Sequence, residues 1–162
     1  ILTGGVDDDV NIYFTDNHIL FEFDSTIVVS RLIEANNYFD TDKMISNDYK
    51  TKIAINKKEM ADCIDRATLL IKDGDKKPVF LSIKDTELEL NINTFIGSMD
   101  ESIPISKEGE DILISFNPKF LIDILRVLDV EQVEMYFSNP KAPCFIRDEE
   151  GSYIYIVLPV VQ

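Results

Sequence analysis

Lys52-Ile-Ala-Ile-Asn-Lys-Lys-Glu-Met-Ala-Asp-Cys-Ile-Asp-Arg-Ala67 decides how this chain folds. Ile53 and Ile55 alternate with Lys52 and Ala54, the two-residue period of a strand. Asn56 ends that period. Its short side-chain oxygen suits a helix N-cap, and Glu59 stands three residues on in the capping-box position. Met60, Ile64, Ala67 and Ile71 follow at helical spacing as one apolar stripe, and Asp73-Gly74-Asp75 reads as the stop. The same join returns 61 residues later. Ile112 to Phe116 reads as a strand, Asn117 as a cap, and Pro118 fits the first helical position. Phe120, Leu121, Ile124, Val127 and Leu128 read as the buried stripe of this second helix. Asn56-x-Lys58-x-x-x-Asp62 overlays Asn117-x-Lys119-x-x-x-Asp123.

Each helix leads into three strands. After the first come Val79 to Ile83, a turn at Asp85-Thr86, Leu88 to Ile92, and a weaker strand from Ile96 to Ile105 that contains Gly97. After the second come Val133 to Phe137, Ala142 to Arg147 and Tyr153 to Leu158. The unit strand–helix–three strands is therefore present twice. Upstream, Val10 to Phe14, His18 to Phe23 and Thr26 to Leu32 read as three strands. Val10-Asn-Ile-Tyr-Phe-Thr-Asp16 overlays Val133-Glu-Met-Tyr-Phe-Ser-Asn139, so the tail of a third copy precedes the two. Between them, residues 35–48 read as a polar linker with Tyr38, Phe39, Met44 and Ile45 as apolar anchors. The period is too long for a solenoid. Two copies closing around one core are expected: an α+β fold with helices on one face of antiparallel sheets. The last strand, Tyr153 to Leu158, has no polar break and is expected to be buried on both faces. Pro159 ends it, and Leu158 to Val161 can form the lip of an apolar groove.

Composition narrows the function. The chain has 162 residues, 45% of them apolar, and 16 Lys and Arg against 30 Asp and Glu, a net charge of -14. That balance argues against charge-driven nucleic-acid binding unless a local basic stripe exists. Cys63 and Cys144 are far apart, which fits a reduced, cytosolic chain. No segment reaches the roughly 18 apolar residues of a membrane span. The opening Ile1-Leu-Thr-Gly-Gly5 resembles the last turn of a helix with its glycine stop, so the chain is expected to begin inside a domain. Neither GxxxxGK[ST] nor GxGxxG occurs. His18 is the only histidine, and no Cys–His or Ser–His–Asp arrangement can be completed around it. Asp7-Asp8-Asp9 lies in a polar turn and reads as solvated. No catalytic residue, metal or cofactor is expected.

Four stretches carry a resemblance: Ser30-Arg-Leu-Ile-Glu34 with Asn37-Tyr-Phe-Asp-Thr41; Ala61-Asp-Cys-Ile-Asp-Arg-Ala-Thr-Leu-Leu70; Ile114-Ser-Phe-Asn-Pro-Lys-Phe120; and Ile156-Val-Leu-Pro159. On them the whole chain resembles the bacterial DNA polymerase III beta subunit, the sliding clamp. The resemblance implies three domains per subunit, each a pseudo-twofold pair of repeats, and a head-to-tail homodimer ringing duplex DNA. Residues 1–46 would be the second half of the middle domain plus a linker, and 47–162 the complete last domain. It implies a cytoplasmic, non-enzymatic processivity factor. Its partners would be the polymerase III alpha subunit, the clamp loader and other proteins carrying a clamp-binding peptide. The implied DNA-facing residues are Lys57, Lys58, Arg66, Lys119 and Arg126, sharing their helix faces with Asp62, Asp65 and Asp123. The implied peptide groove comprises Phe39, Asp40, Lys43, Met44, Pro143, Ile156, Val157, Leu158, Pro159, Val160 and Val161. Phe39 departs from the usual Pro and Lys43 from the common Arg. The implied subunit interface comprises Leu69, Leu70, Ser98, Ile103 and Ile105. The alternative to a clamp is an α+β protein-interaction domain without a DNA role, which would share the groove but lack ring-lining helices.

Overall fold

A computed structural model describes residues 9–33, 48–72, 74–75 and 77–161. The chain divides into two units, Ile1–Ile45 and Ser46–Gln162. The described part of the first is an antiparallel meander of β1 (Asn11–Phe14), β2 (His18–Phe23) and β3 (Thr26–Arg31). Asp24, at a φ of 49°, turns β2 into β3. Asp tolerates that left-handed conformation because its side chain can bond the local backbone. Pairing places Ile12, Phe14, Ile19, Phe21 and Val28 on one face of this sheet.

The second unit runs β4 (Thr51–Asn56), α1 (Lys57–Thr68), β5 (Val79–Lys84), β6 (Glu87–Asn93), β7 (Ser98–Gly109), β8 (Ile112–Phe116), α2 (Pro118–Val127), β9 (Gln132–Phe137), β10 (Cys144–Arg147) and β11 (Ile154–Val157). Both helices begin where the caps predict. Asn56 Oδ1 accepts from the Glu59 N–H at 3.0 Å, and Asn117 Oδ1 from the Lys119 N–H at 3.0 Å. Each bond satisfies one orphan donor of the first turn. Helix α1 stops at Thr68, ahead of the expected Asp73. Its chain tightens into i→i+3 bonds, Leu70 N–H to Ala67 O at 3.1 Å and Ile71 N–H to Thr68 O at 3.0 Å. Ile71 thus lies beyond the helix, partly packed on the core.

The stripe of α2 is rotated from the expected one. Leu121, Ile122 and Leu125 are buried, with Leu128 at the C-cap, while Phe120 and Val127 are exposed and Ile124 half-buried. Apolar residues cover more than half of the helix surface, with Lys119, Asp123 and Arg126 sharing the remaining side, so the buried stripe can turn within a wide apolar arc. The repeat resolves it. Met60, Ile64 and Ala67 of α1 correspond to Leu121, Leu125 and Leu128, and all six are buried.

The sheet order is β11-β10-β9-β4-β7-β6-β5-β8, with every pair antiparallel. The two repeats exchange first strands, β4 pairing with β9 and β8 with β5. Strand β7 serves two partners: Ser98 to Pro104 pair with β6, and Ile105 to Gly109 with β4. The helices pack on each other and on the sheet, α1 against β4 and β7, α2 against β11. Alternate residues Ile53, Ile55, Leu81, Ile83, Leu88, Leu90, Ile103, Ile114, Val133, Met135 and Phe137 fill the core. Each such side chain contributes about 1.5–3 kcal/mol by leaving water.

Strand β11 corrects the expectation of burial on both faces. It is an edge strand; Val157 is buried, but Ile154 and Leu158 are exposed. Past it, Pro159 has no N–H for a ladder, and the tail crosses to the opposite edge of the sheet. There the Val160 N–H donates to Ser115 O at 2.8 Å and Ser115 Oγ donates to Val160 O at 2.8 Å. The two ends of the strand order are thereby joined by the hydrogen bonds of one residue pair, Ser115 and Val160. The corresponding seam of the first repeat, β4 with β7, is fully laddered from Ile55↔Ile105 to Thr51↔Gly109. Gly109 is required at its end. It has a φ of 94°, and a Cβ there would lie 1.8 Å from the Lys50 carbonyl oxygen.

Candidate functional site

The thinly closed seam has a cleft beside it. A hollow of about 400 Å³ lies between α2 and β11, lined by Phe120, Asp123, Ile124, Tyr155, Ile156, Val157 and Leu158. The rotated register of α2 builds its wall: turning Leu121 and Leu125 inward leaves Phe120 (54% exposed) and Ile124 facing out toward β11. The edge position of β11 builds the other wall, and Leu158, 62% exposed, forms the lip. Asp123 is the one charged residue in the lining. Across the tail lies a smaller hollow of about 220 Å³ whose lining includes Phe80, Leu113, Pro140, Val160 and Val161. An apolar cleft with one charged rim residue is suited to an apolar side chain presented by a peptide.

Of the expected groove residues, Ile156, Val157 and Leu158 line the larger hollow and Val160 and Val161 the smaller, with Pro159 between them. Pro143 directly precedes β10 and lines neither. Phe39, Asp40, Lys43 and Met44 lie outside the described residues. Sequence reasoning missed Phe120, Asp123 and Ile124. The repeat offset could have found Phe120, which falls on the exposed Glu59 of α1, but not Ile124, which falls on the buried Cys63.

The helix cations are mostly engaged. Lys57 Nζ donates to Leu128 O at 2.8 Å and ties down the end of α2. Lys58 reaches Asp62 at 3.3 Å. Arg66 forks onto both carboxylate oxygens of Glu101, its Nε at 3.0 Å from Oε2. Arg126 meets Asp65 at 3.1 Å, linking positions one repeat apart on the two helices. Lys119 is exposed in the first turn of α2. A hollow of about 530 Å³ at the junction of the helices is lined by Lys72, Lys77, Lys119 and Arg126 together with Asp65, Asp75 and Asp123. Its charge is mixed, so its attraction for an anion is weak and screened by salt.

A third region lies where α1 leaves the core. Leu69 is 79% exposed and Phe95 is 98% exposed, with Ile96 beside it; Lys72 Nζ lies 5.8 Å from the Phe95 ring centre. Phe95 and Ile96 were not anticipated in this patch. Leu70 is half-buried and Ser98 exposed, whereas Ile103 and Ile105 point into the core and leave only backbone to a neighbour. From Ser98 to Pro104, the edge of β7 opposite β6 pairs with no strand among the described residues.

The remaining titratable groups brace the fold. Lys52 donates to Glu149 at 2.8 Å and lies 2.9 Å from Glu134, while Tyr136 donates its hydroxyl to Glu134 at 2.7 Å. The bonds to Glu149 and then Glu134 raise the Lys52 pKa. Burial pushes the Glu134 carboxyl up, but the Tyr136 and Lys52 bonds outweigh it and hold it below the usual carboxylate range. Cys63 and Cys144 are free and buried, and burial pushes the Cys63 thiol up to about 11, away from reactivity. Among the described residues no three metal-ligating side chains cluster, and no helix is long and apolar enough to cross a membrane.

Duplication, strand exchange and an apolar cleft at one seam define a repeat-built clamp-type domain. The profile of the DNA polymerase III beta subunit, C-terminal domain, matches residues 42–161, and the chain belongs to that family. The beta sliding clamp of Bacillus subtilis is 37% identical over 155 residues, 93% of this chain and 41% of the relative. A crystal structure from Eubacterium rectale, described as a DNA polymerase III beta subunit, superposes with a TM-score of 0.88 at 62% identity, covering 98% of this chain and 43% of that one. The Thermotoga maritima beta subunit gives a TM-score of 0.84 at 27% identity, covering 94% of this chain and 42% of that one. The chain thus spans about two-fifths of the length of the relatives it matches.

Proposed function

We propose that this chain is part of a sliding clamp, a non-enzymatic processivity factor of the bacterial cytoplasm that encircles duplex DNA and tethers the replicative polymerase. In this reading residues 1–46 correspond to the second half of a middle domain plus linker, and 47–162 to the last domain. The observation that carries the reading is the apolar cleft of Phe120, Ile124 and Leu158 at the open seam of a chain in this family. The cleft receives the apolar end of a short peptide from the polymerase III alpha subunit, the clamp loader and other clamp partners. A clamp from Bartonella birtlesii has been crystallised with griselimycin, which supports a ligand-accepting surface on this scaffold.

DNA is held by enclosure rather than affinity. Lys58, Lys119, Arg66 and Arg126 soften the field of an acidic protein where the helices face phosphates, and such contacts carry no sequence preference. The Leu69, Phe95 and Ile96 patch with the open edge of β7 pairs with a second subunit to close the ring.

The test is an amide NMR titration with a synthetic peptide ending in a Gln-x-x-Leu-Phe motif. Shifts are expected at Phe120, Ile124 and Leu158. Phe120→Ala is expected to weaken binding about 30-fold, the scale of a hot-spot truncation, while scarcely moving the unfolding midpoint because the ring is half in solvent. A blank titration, repeated on a chain with a complete middle domain, would sink the groove.

A further inference from the structure

The lip of the cleft is tied to the sheet. Beyond β11 the strand ladder is broken by Pro159, and no strand pairs with Val160 among the described residues. What holds the tail is Ser115 of β8. Its carbonyl accepts the Val160 N–H and its hydroxyl donates to the Val160 carbonyl, both at 2.8 Å. Ser115 is 7% exposed, one of two buried polar or charged residues, with Thr51, among the described residues. A hydroxyl at such a position needs a partner, since burying it unpaired is costly. Val160 supplies that partner, and the need works in both directions.

We infer that Ser115 is a positioning residue for the peptide cleft: it latches the tail so that Leu158 is set as a lip before any ligand arrives. The inference rests on the reading of the cleft as the peptide site. Its physical basis is preorganisation. With the latch made, the segment from Leu158 to Val161 has little freedom left to lose when a peptide docks; with it cut, binding must order that segment and affinity falls by the same amount. Ser115 lines the smaller hollow and not the larger one, so it acts on the cleft through the tail.

The experiment uses the full chain, the same peptide probe, and three variants. Ser115→Ala is expected to speed amide exchange at Val160 and to raise the peptide Kd by about three- to tenfold, the span of one hydrogen bond. Ser115→Thr keeps the hydroxyl and is expected to restore both. Ile53→Val, which loosens the core on β4 in the middle of the sheet order, is expected to leave the Kd unchanged, so general destabilisation cannot mimic the result. Faster Val160 exchange with an unaltered Kd, or unaltered exchange in Ser115→Ala, overturns the latch while the cleft stands. Failure of the peptide to bind both the unsubstituted chain and a chain with a complete middle domain overturns the cleft itself, and the latch with it.

Discussion

The two repeats of the second unit share one plan and differ at one seam. In the first, β7 runs on past its hairpin partner for long enough to ladder with β4 over five residues, ending on a glycine pressed against the Lys50 backbone. In the second, β11 stops after four residues, and the tail's backbone bonds to β8 are those with Ser115 among the described residues. Beside the closed seam, α1 and β7 leave a hollow of about 210 Å³ lined mostly by polar and charged residues, Glu59, Asp62, Arg66, Glu101 and Ser102 with Ile103. Beside the open one, two apolar side chains of α2 and the end of β11 remain uncovered. Duplication supplies a stable scaffold, and the shorter strand of one copy leaves an apolar cleft without disturbing the core.

That contrast breaks if the seams prove energetically alike. Gly109→Ala drives a Cβ into the Lys50 carbonyl at a left-handed φ and is expected to cost about 3–5 kcal/mol. Deleting residues 160–162 removes two hydrogen bonds at a half-exposed edge and should cost about 1–2 kcal/mol. Chemical denaturation of both variants measures the gap, and equal losses would refute it.

A smaller effect separates the two strand exchanges. Lys52 and Tyr136, paired across β4 and β9, both bind Glu134, whereas the matching pair across β8 and β5 is Leu113 with Ser82. The folded-state pKa of Glu134 is depressed. Its stabilisation is therefore complete above the ordinary carboxylate pKa of about 4.3 and is lost as pH falls through the lower folded value. Glu134→Gln is expected to lower stability at pH 7 and to flatten the fall below about pH 4 in melts taken across pH. An unchanged acid limb would remove Glu134 from the account. The smallest effect belongs to Arg126 and Asp65, at equivalent positions of the two helices. Both are half exposed or more, and a double-mutant cycle should give less than about 1 kcal/mol, fading with added salt.

Caps and repeat were legible in the sequence because each rests on local chemistry: Asn56 and Asn117 bond their own first turns. The phase of α2 was not. Seven of the residues from Phe120 to Leu128 are apolar, and such a helix buries whichever side its neighbours meet. Projecting Met60 and Ile64 forward by one repeat selects Leu121 and Leu125, and leaves Phe120 for the cleft. The closing strand misled for a related reason. An apolar run reads the same whether both faces are covered by protein or one awaits a ligand. The patch at Phe95 and Ile96 was hidden because two apolar residues before a glycine read as the start of a strand; here that strand begins after Gly97, and the pair is left in a turn.

The strand exchange also sets an order of events during synthesis. Strand β4, the first of the unit to leave the ribosome, cannot find one of its two partners until Phe137 has been made. Neither copy completes its sheet alone, so the unit folds as one body once its second half has emerged. The tail contact at Ser115 comes last, after everything it fastens is already in place.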